Sequence, residues 1–222
     1  MTDSLEGLRA RLDGGCTSAE FRAALMDVPA VRRERHIDAL FQLDELPDDL
    51  ALPRGCVPYL PCSLDVLLEA IDVTSLTDEH VFVDVGAGIG RVAALVHLLS
   101  GARAIGVEIQ SALARRARSL AARVAPSRIE IIEGDATNGA LPDDGDVYFL
   151  YCPFDRNHTA TFLERLAPRR GARIVCVDLV LPERPWLECC IANHRLSVFR
   201  IMDGREHGLA RAASWPEGGA LP

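Results

Sequence analysis

The chain has 222 residues, 49% of them hydrophobic and 25% charged, with a formal net charge of -8. That balance describes one globular domain with a core able to stand alone plus an appendage, and it excludes a disordered chain. The acidic sum speaks against nucleic acid as a partner, because a polyanion is drawn by a basic face. With neither an 18-residue apolar run nor a charged-then-apolar leader, no membrane span or export is expected, and the expected compartment is the cytoplasm.

Cys16, Cys56, Cys62, Cys152, Cys176, Cys189 and Cys190 show no framework spacing, and no C-x-x-C occurs. Free thiols are expected, and no metal site, since the histidines do not pair at ligand spacing either. All 24 basic residues are arginine.

Residues 1 to about 50 read as helices. Leu5, Leu8 and Leu12 share a face, Ser18 is placed to cap a helix through Leu25, and Val31, Ile37, Leu40 and Phe41 mark another. These helices are expected to form a cap or lid. Residues 46–61 hold Pro47, Pro53, Pro58 and Pro61, too much proline for regular structure, and Ser63 then opens a short helix from Leu64 to Ile71. The expected division is a cap and linker over 1–60, a main domain over 61–213 and a frayed tail over 214–222.

The most informative stretch follows, Val-Phe-Val-Asp-Val-Gly-Ala-Gly-Ile-Gly-Arg over residues 81–91. A β-branched run that ends in an acid and breaks into alternating glycines reads as a buried strand, a turn and a helix N-terminus. Without Cβ atoms, such a loop can lie flat against a ligand. The dinucleotide fingerprint G-x-G-x-x-G would put its third glycine on Arg91, so the spacing argues against NAD. Helix is expected from Gly90 to Ser100, with Gly101 as its stop.

A second strand, 103–108, ends in Glu108, where a carboxylate accepts two hydrogen bonds from a ribose diol. A third, 128–132, leads to Gly134-Asp135, whose carboxylate could accept the amino group of adenine. Further strands are expected at 146–151 and 172–178, with helices between all of these. Such alternation predicts a parallel sheet covered on both faces. Arg195–Ile201 and Glu206–Ala213 would add two more strands.

These residues resemble the class I S-adenosylmethionine-dependent methyltransferases. The resemblance covers roughly Val81 to Asp178 and rests on Asp84 with Gly86, Gly88 and Gly90, then Glu108, Gly134-Asp135, and the segment Asp146 to Asp155. It implies a Rossmann-like α/β fold, doubly wound, with a mostly parallel seven-stranded sheet, an antiparallel C-terminal edge hairpin and an N-terminal helical extension. It also implies S-adenosylmethionine as the cofactor. The loop Asp84 to Gly90, with Ala87, would hold its amino-acid end. Glu108 and Ile109 would meet the ribose, Asp135 and Ala136 the adenine, and no metal is implied.

In open parallel sheets ligands bind beyond the carboxyl ends of the strands where strand order reverses, so the glycine loop should face Tyr151, Cys152, Pro153 and Phe154. Tyr151 is assigned to the cofactor side. Cys152, Pro153 and Phe154, with Trp186, are assigned to the acceptor. Asp155 and His158 are the candidate proton acceptors; as structural residues they read equally well as a helix N-cap and a surface histidine. Enzymes that methylate exocyclic amino groups of bases carry Asn or Asp followed by Pro-Pro and an aromatic. Tyr151-Cys152-Pro153-Phe154 departs from that pattern.

Pro58-Tyr59-Leu60-Pro61 resembles the segment that precedes the cofactor strand in lysine methyltransferases of ATP synthase c subunits. Residues 81–91 with Gly106-Val107-Glu108 resemble the non-SET histone lysine methyltransferases. By this resemblance Tyr59 would pack on the methionine end of the cofactor; as a structural residue it reads as core packing. The expected function is methyl transfer to a nitrogen or oxygen acceptor, protein lysine first, with a small-molecule acceptor or a non-catalytic cofactor-binding module as alternatives.

Overall fold

A computed structural model describes residues 4–43 and 58–202. The strand expected at 206–213, the tail and most of the proline-rich linker lie outside these residues. Three helices come first, α1 (Ser4–Gly14), α2 (Ser18–Asp27) and α3 (Ala30–Phe41), followed by α4 (Leu64–Val73). The cap of α2 is Thr17, not Ser18: its hydroxyl accepts from the Glu20 N–H while the Glu20 carboxylate takes the Thr17 N–H, a reciprocal pair that Ser18 one position later could not form.

Beyond α4 the chain runs β1 (Val81–Val85), α5 (Arg91–Ser100), β2 (Arg103–Glu108), α6 (Ser111–Val124), β3 (Ile129–Glu133), β4 (Val147–Tyr151), α7 (Arg156–Leu166), β5 (Arg173–Val177), β6 (Leu187–Ala192) and β7 (Leu196–Ile201). The strands form one sheet in the order β3-β2-β1-β4-β5-β7-β6. The first five are parallel and β7 runs antiparallel to both β5 and β6. Strand order reverses between β1 and β4, which opens a crevice at their carboxyl ends.

Alternation along the central strands explains the layering. Phe82, Val147 and Phe149 point into the core shared with α1 to α6, whereas Val83, Tyr148 and Leu150 point into a second core against Phe162, Leu163 and Leu166 of α7. Strands buried on both faces read as largely apolar runs, as β4 does throughout and β1 does apart from Asp84. The N-terminal helices join the first core through Phe21, Leu25, Ile37 and Phe41.

Two expectations change, the first strand of the edge hairpin and the helix between β3 and β4. The edge hairpin is made by β6 and β7, so its first strand is 187–192. No helix joins β3 to β4 or β5 to β6. Gly134, Gly139, Pro142 and Gly145 break the first connection into turns, with Ala136 and Leu141 filling the core in place of a helix, and Pro182 and Pro185 do the same for the second. Among the described residues six cysteines carry free thiols, and no helix is long and apolar enough to cross a membrane.

Candidate functional site

The crevice between β1 and β4 holds a cavity of about 850 Å³, counting the open solvent at its mouth. Its floor is the turn after β1. The N–H groups of Gly86 and Ala87 both donate to the Val107 carbonyl, at 2.9 and 3.0 Å, which latches the turn to β2. Gly88 is left-handed, with φ +55°, and a methyl group there would lie 2.1 Å from the ring of Tyr59. The glycine is therefore needed both for its conformation and for the close approach of that ring. Gly90, also left-handed, starts α5 against Ala117 of α6.

Two acids face this floor. Glu108, buried at the end of β2, accepts the Gly88 N–H on Oε2 and the Gln110 N–H on Oε1, each at 2.7 Å. Its carboxylate is held in one orientation and ties the glycine turn to the start of α6. Asp84 is buried at the end of β1, and its Oδ2 has no hydrogen-bond partner. Burial, and then the nearby charge of Glu108, push its pKa up to about 8. A buried carboxyl oxygen without a partner is costly, and beside a cavity it fits a ligand donor.

The walls bring most of the expected residues together. Tyr59, Asp84, Gly86, Ala87, Glu108, Ile109, Asp135 and Ala136 line the cavity, as do Tyr151, Cys152, Pro153 and Phe154. Gly88 lies under Tyr59, and Gly90 supports the turn from below. Asp135 is half-engaged: its Oδ1 accepts both the N–H and the hydroxyl of Thr137 at 2.7 Å, which leaves Oδ2 for a ligand. Cys152 adopts φ +44°, a left-handed conformation uncommon outside glycine, and its thiol donates to the Asp178 carbonyl at 2.6 Å. Burial and Asp178 raise the pKa of that thiol, keeping it protonated.

Three expected residues lie elsewhere. Trp186 does not line the cavity. It precedes Leu187, which pairs with Ile201, and the neighbouring Arg200 pairs with Arg173 at the start of β5. The antiparallel turn of the chain thus carries Trp186 to the amino edge of the parallel strands, opposite the crevice. Asp155 caps α7 by accepting the N–H groups of Asn157 and His158, and it also meets the His158 ring at 2.8 Å. Neither Asp155 nor His158 is among the residues that line the cavity.

Sequence reading passed over Cys62 and Arg91. Cys62 lines the cavity three residues beyond Tyr59. Arg91, at the start of α5, is buried and points away from the cavity toward Glu34 and Asp38 of α3 and the Cys62 carbonyl. No helix of 4–43 contributes to the lining. The N-terminal helices thus brace the wall from behind. The clusters at 32–35 and 115–118 are partly spent on the protein itself, Arg33 on the Val28 and Met26 carbonyls and Arg118 on Glu133.

Residues 82–169 match a family model described as a methyltransferase domain. No curated protein matches the chain. Among solved structures, an RNA methyltransferase from Salinibacter ruber in complex with S-adenosyl-L-homocysteine is 21% identical, with a TM-score of 0.53 over 64% of this chain and 92% of that one. TrmN from Thermus thermophilus is 15% identical, with a TM-score of 0.52 over 61% of this chain and 48% of that one. The PH0226 protein from Pyrococcus horikoshii is 14% identical, with a TM-score of 0.50 over 62% of this chain and 89% of that one.

Proposed function

We propose that the chain, whose residues 82–169 match a methyltransferase domain, is a class I S-adenosylmethionine-dependent methyltransferase and that its acceptor is the side-chain nitrogen of a protein lysine. The observation that carries this reading is the charge of the cavity. Among the described residues, those lining it include the carboxyl groups of Asp84, Glu108 and Asp135 and no arginine, lysine or histidine. With no cation in the wall to pair it, a phosphate-bearing acceptor is disfavoured there, whereas a lysine side chain meets no like charge. Leu60, which lines the cavity, is 57% exposed, so the cavity opens to solvent at this segment.

The donor set suits the cofactor, which supplies an activated methyl carbon on a sulfonium. Asp84 would accept its ammonium group on the oxygen that lacks a protein partner. Glu108, fixed by two backbone N–H groups, would take the ribose hydroxyls, and Asp135 and Ala136 would receive the adenine. Tyr59, packed across Gly88, would close over the methionine end. What remains for the protein is orientation and the removal of water, which together can supply roughly 7 to 11 kcal/mol in favourable cases. Tyr151 would lie on the cofactor side, and Cys152, Pro153 and Phe154 would form the acceptor side, with Phe154 steadied by Phe162 at a ring-centroid distance of 5.6 Å.

An amine attacks only with its lone pair free, so an ammonium acceptor must shed a proton before it attacks. The test is incubation of the enzyme with methyl-labelled cofactor and an extract of its host, followed by separation into protein, RNA and small-molecule fractions. Label in the protein fraction, recovered as methyl-lysine after hydrolysis, is the expected result. The enzyme holds no lysine of its own, so none of that signal can come from self-methylation. Label in RNA or in a small molecule would overturn the lysine reading.

A further inference from the structure

Arg91 is placed where a cation is least welcome. It occupies the first turn of α5, where the helix dipole opposes positive charge, and its side chain is only 3% exposed. Its guanidinium makes three contacts in three directions. Nε donates to Asp38 at 3.0 Å, one terminal nitrogen donates to the Cys62 carbonyl at 2.8 Å, and the other pairs with Glu34. The second oxygen of Glu34 takes the Leu64 N–H at 2.6 Å. One side chain thus joins the end of the glycine turn, helix α3 and the segment that carries Tyr59.

We propose that Arg91 is a positioning residue for the methyl donor. By gripping the Cys62 carbonyl from behind the cavity, with α3 as its anchor, it holds residues 58–62 so that the Tyr59 ring stays across Gly88. The cofactor then meets a wall already in place and does not have to order it, which lowers the cost of binding. Only a planar fork can serve the three partners together; an ammonium cannot. The inference rests on the reading that this cavity holds S-adenosylmethionine.

Fold loss is not expected on removing the guanidinium. Glu34 and Asp38 are 47% and 49% exposed, so water takes its place beside them and no buried acid is stranded. The experiment is calorimetric titration of S-adenosylhomocysteine into the full chain as wild type, Arg91→Met, Tyr59→Ala and the double variant. The same titration is made on Glu34→Gln with Asp38→Asn, which weakens the anchor from the half-exposed side should Arg91→Met fold poorly. Arg91→Met and the α3 pair are each expected to weaken binding about tenfold. The double variant is expected to bind no more weakly than Tyr59→Ala, because both changes act through one ring. Losses that multiply, or an α3 pair that binds as tightly as wild type, would overturn the inference while leaving the cofactor reading intact. A wild-type protein that fails to bind would overturn both.

Discussion

Replacing Asp84 by asparagine tests the electrostatics of the site without changing its shape. The wild-type carboxyl is buried at the end of β1, lacks a partner on Oδ2 and has its pKa pushed up from 3.8 to about 8, first by burial and then by Glu108. The sign follows from linkage. Between these two values the unfolded chain has released this proton and the native state still holds it, so the native state binds one proton more and its stability falls as pH rises. The contribution is fully present below about pH 4 and lost by about pH 8, at about 1.4 kcal/mol for each intervening pH unit. Between pH 6 and 7.5 the wild type should therefore lose about 2 kcal/mol relative to Asp84→Asn. Urea denaturation of both proteins across that range measures the difference. The fixed cost of burying an amide cancels, because only the slope is compared. Parallel stability lines would refute the reasoning.

A second readout ties the same proton to function. At pH 7 about nine in ten native molecules carry it, given a pKa of about 8. If Asp84 receives the ammonium group of the ligand, S-adenosylhomocysteine binding must expel close to one proton, and affinity should rise up to tenfold from pH 6 to pH 7. Calorimetry in buffers of different ionisation enthalpy counts that proton. Binding by Asp84→Asn should be weaker and without proton release. Equal release in both proteins would remove Asp84 from the ammonium position.

Two further perturbations address the same floor. Glu108→Gln keeps the side-chain shape, but its amide can accept on one oxygen only, so either the Gly88 or the Gln110 N–H loses its partner. Calorimetry should show S-adenosylhomocysteine binding weakened by about 1.5–3 kcal/mol, and an unchanged affinity would exclude Glu108 from the site. Gly88→Ala puts a methyl group 2.1 Å from Tyr59 in a left-handed conformation, so it should weaken binding and cost roughly 1–2 kcal/mol of stability. Gly88→Ala should cost less in a Tyr59→Ala background than in the wild type, because only the backbone strain remains once the ring is gone; thermal denaturation of the four proteins measures this, and equal costs would mean that the ring does not press on this turn.

The centre of the fold was legible because its signals are local. Val147–Tyr151 and, apart from Asp84, Val81–Val85 are apolar runs, as strands buried on both faces tend to be, and the alternating glycines announce a backbone turn. The hairpin strand Leu187–Ala192 was not, because it is an edge strand with largely exposed side chains and two adjacent cysteines in place of a clear alternation. Its misreading carried Trp186 to the wrong end of the sheet, since placing that residue requires the register of two antiparallel pairs. The absent helix between β3 and β4 escaped for a different reason. Alternation of strand and helix is a statement about topology, whereas Pro142, Gly139 and Gly145 decide locally that the crossover is made of turns.

Arg91 shows the limit most clearly. In sequence it is one more helical arginine, and nothing marks it as buried, because its partners are 29, 53 and 57 residues away. Set beside Asp84, it also supplies the rule that identifies the ligand. The two residues bracket the glycine turn and both are buried, but each nitrogen of the Arg91 guanidinium donates to a protein oxygen and Asp84 has one oxygen with no partner. A buried charge that is fully paired is structural, and one that is under-paired beside a cavity is waiting for a counterpart. At this turn the under-paired group is the acid, so the counterpart must be a hydrogen-bond donor and is best a cation. A phosphate would require the opposite arrangement, with the arginine free and the acid paired. With the N–H groups of Gly86, Ala87 and Gly88 spent on the Val107 carbonyl and on Glu108, and with one carboxyl left open and one guanidinium turned away, the turn fits the proposed placement of an amino-acid end that carries positive charge.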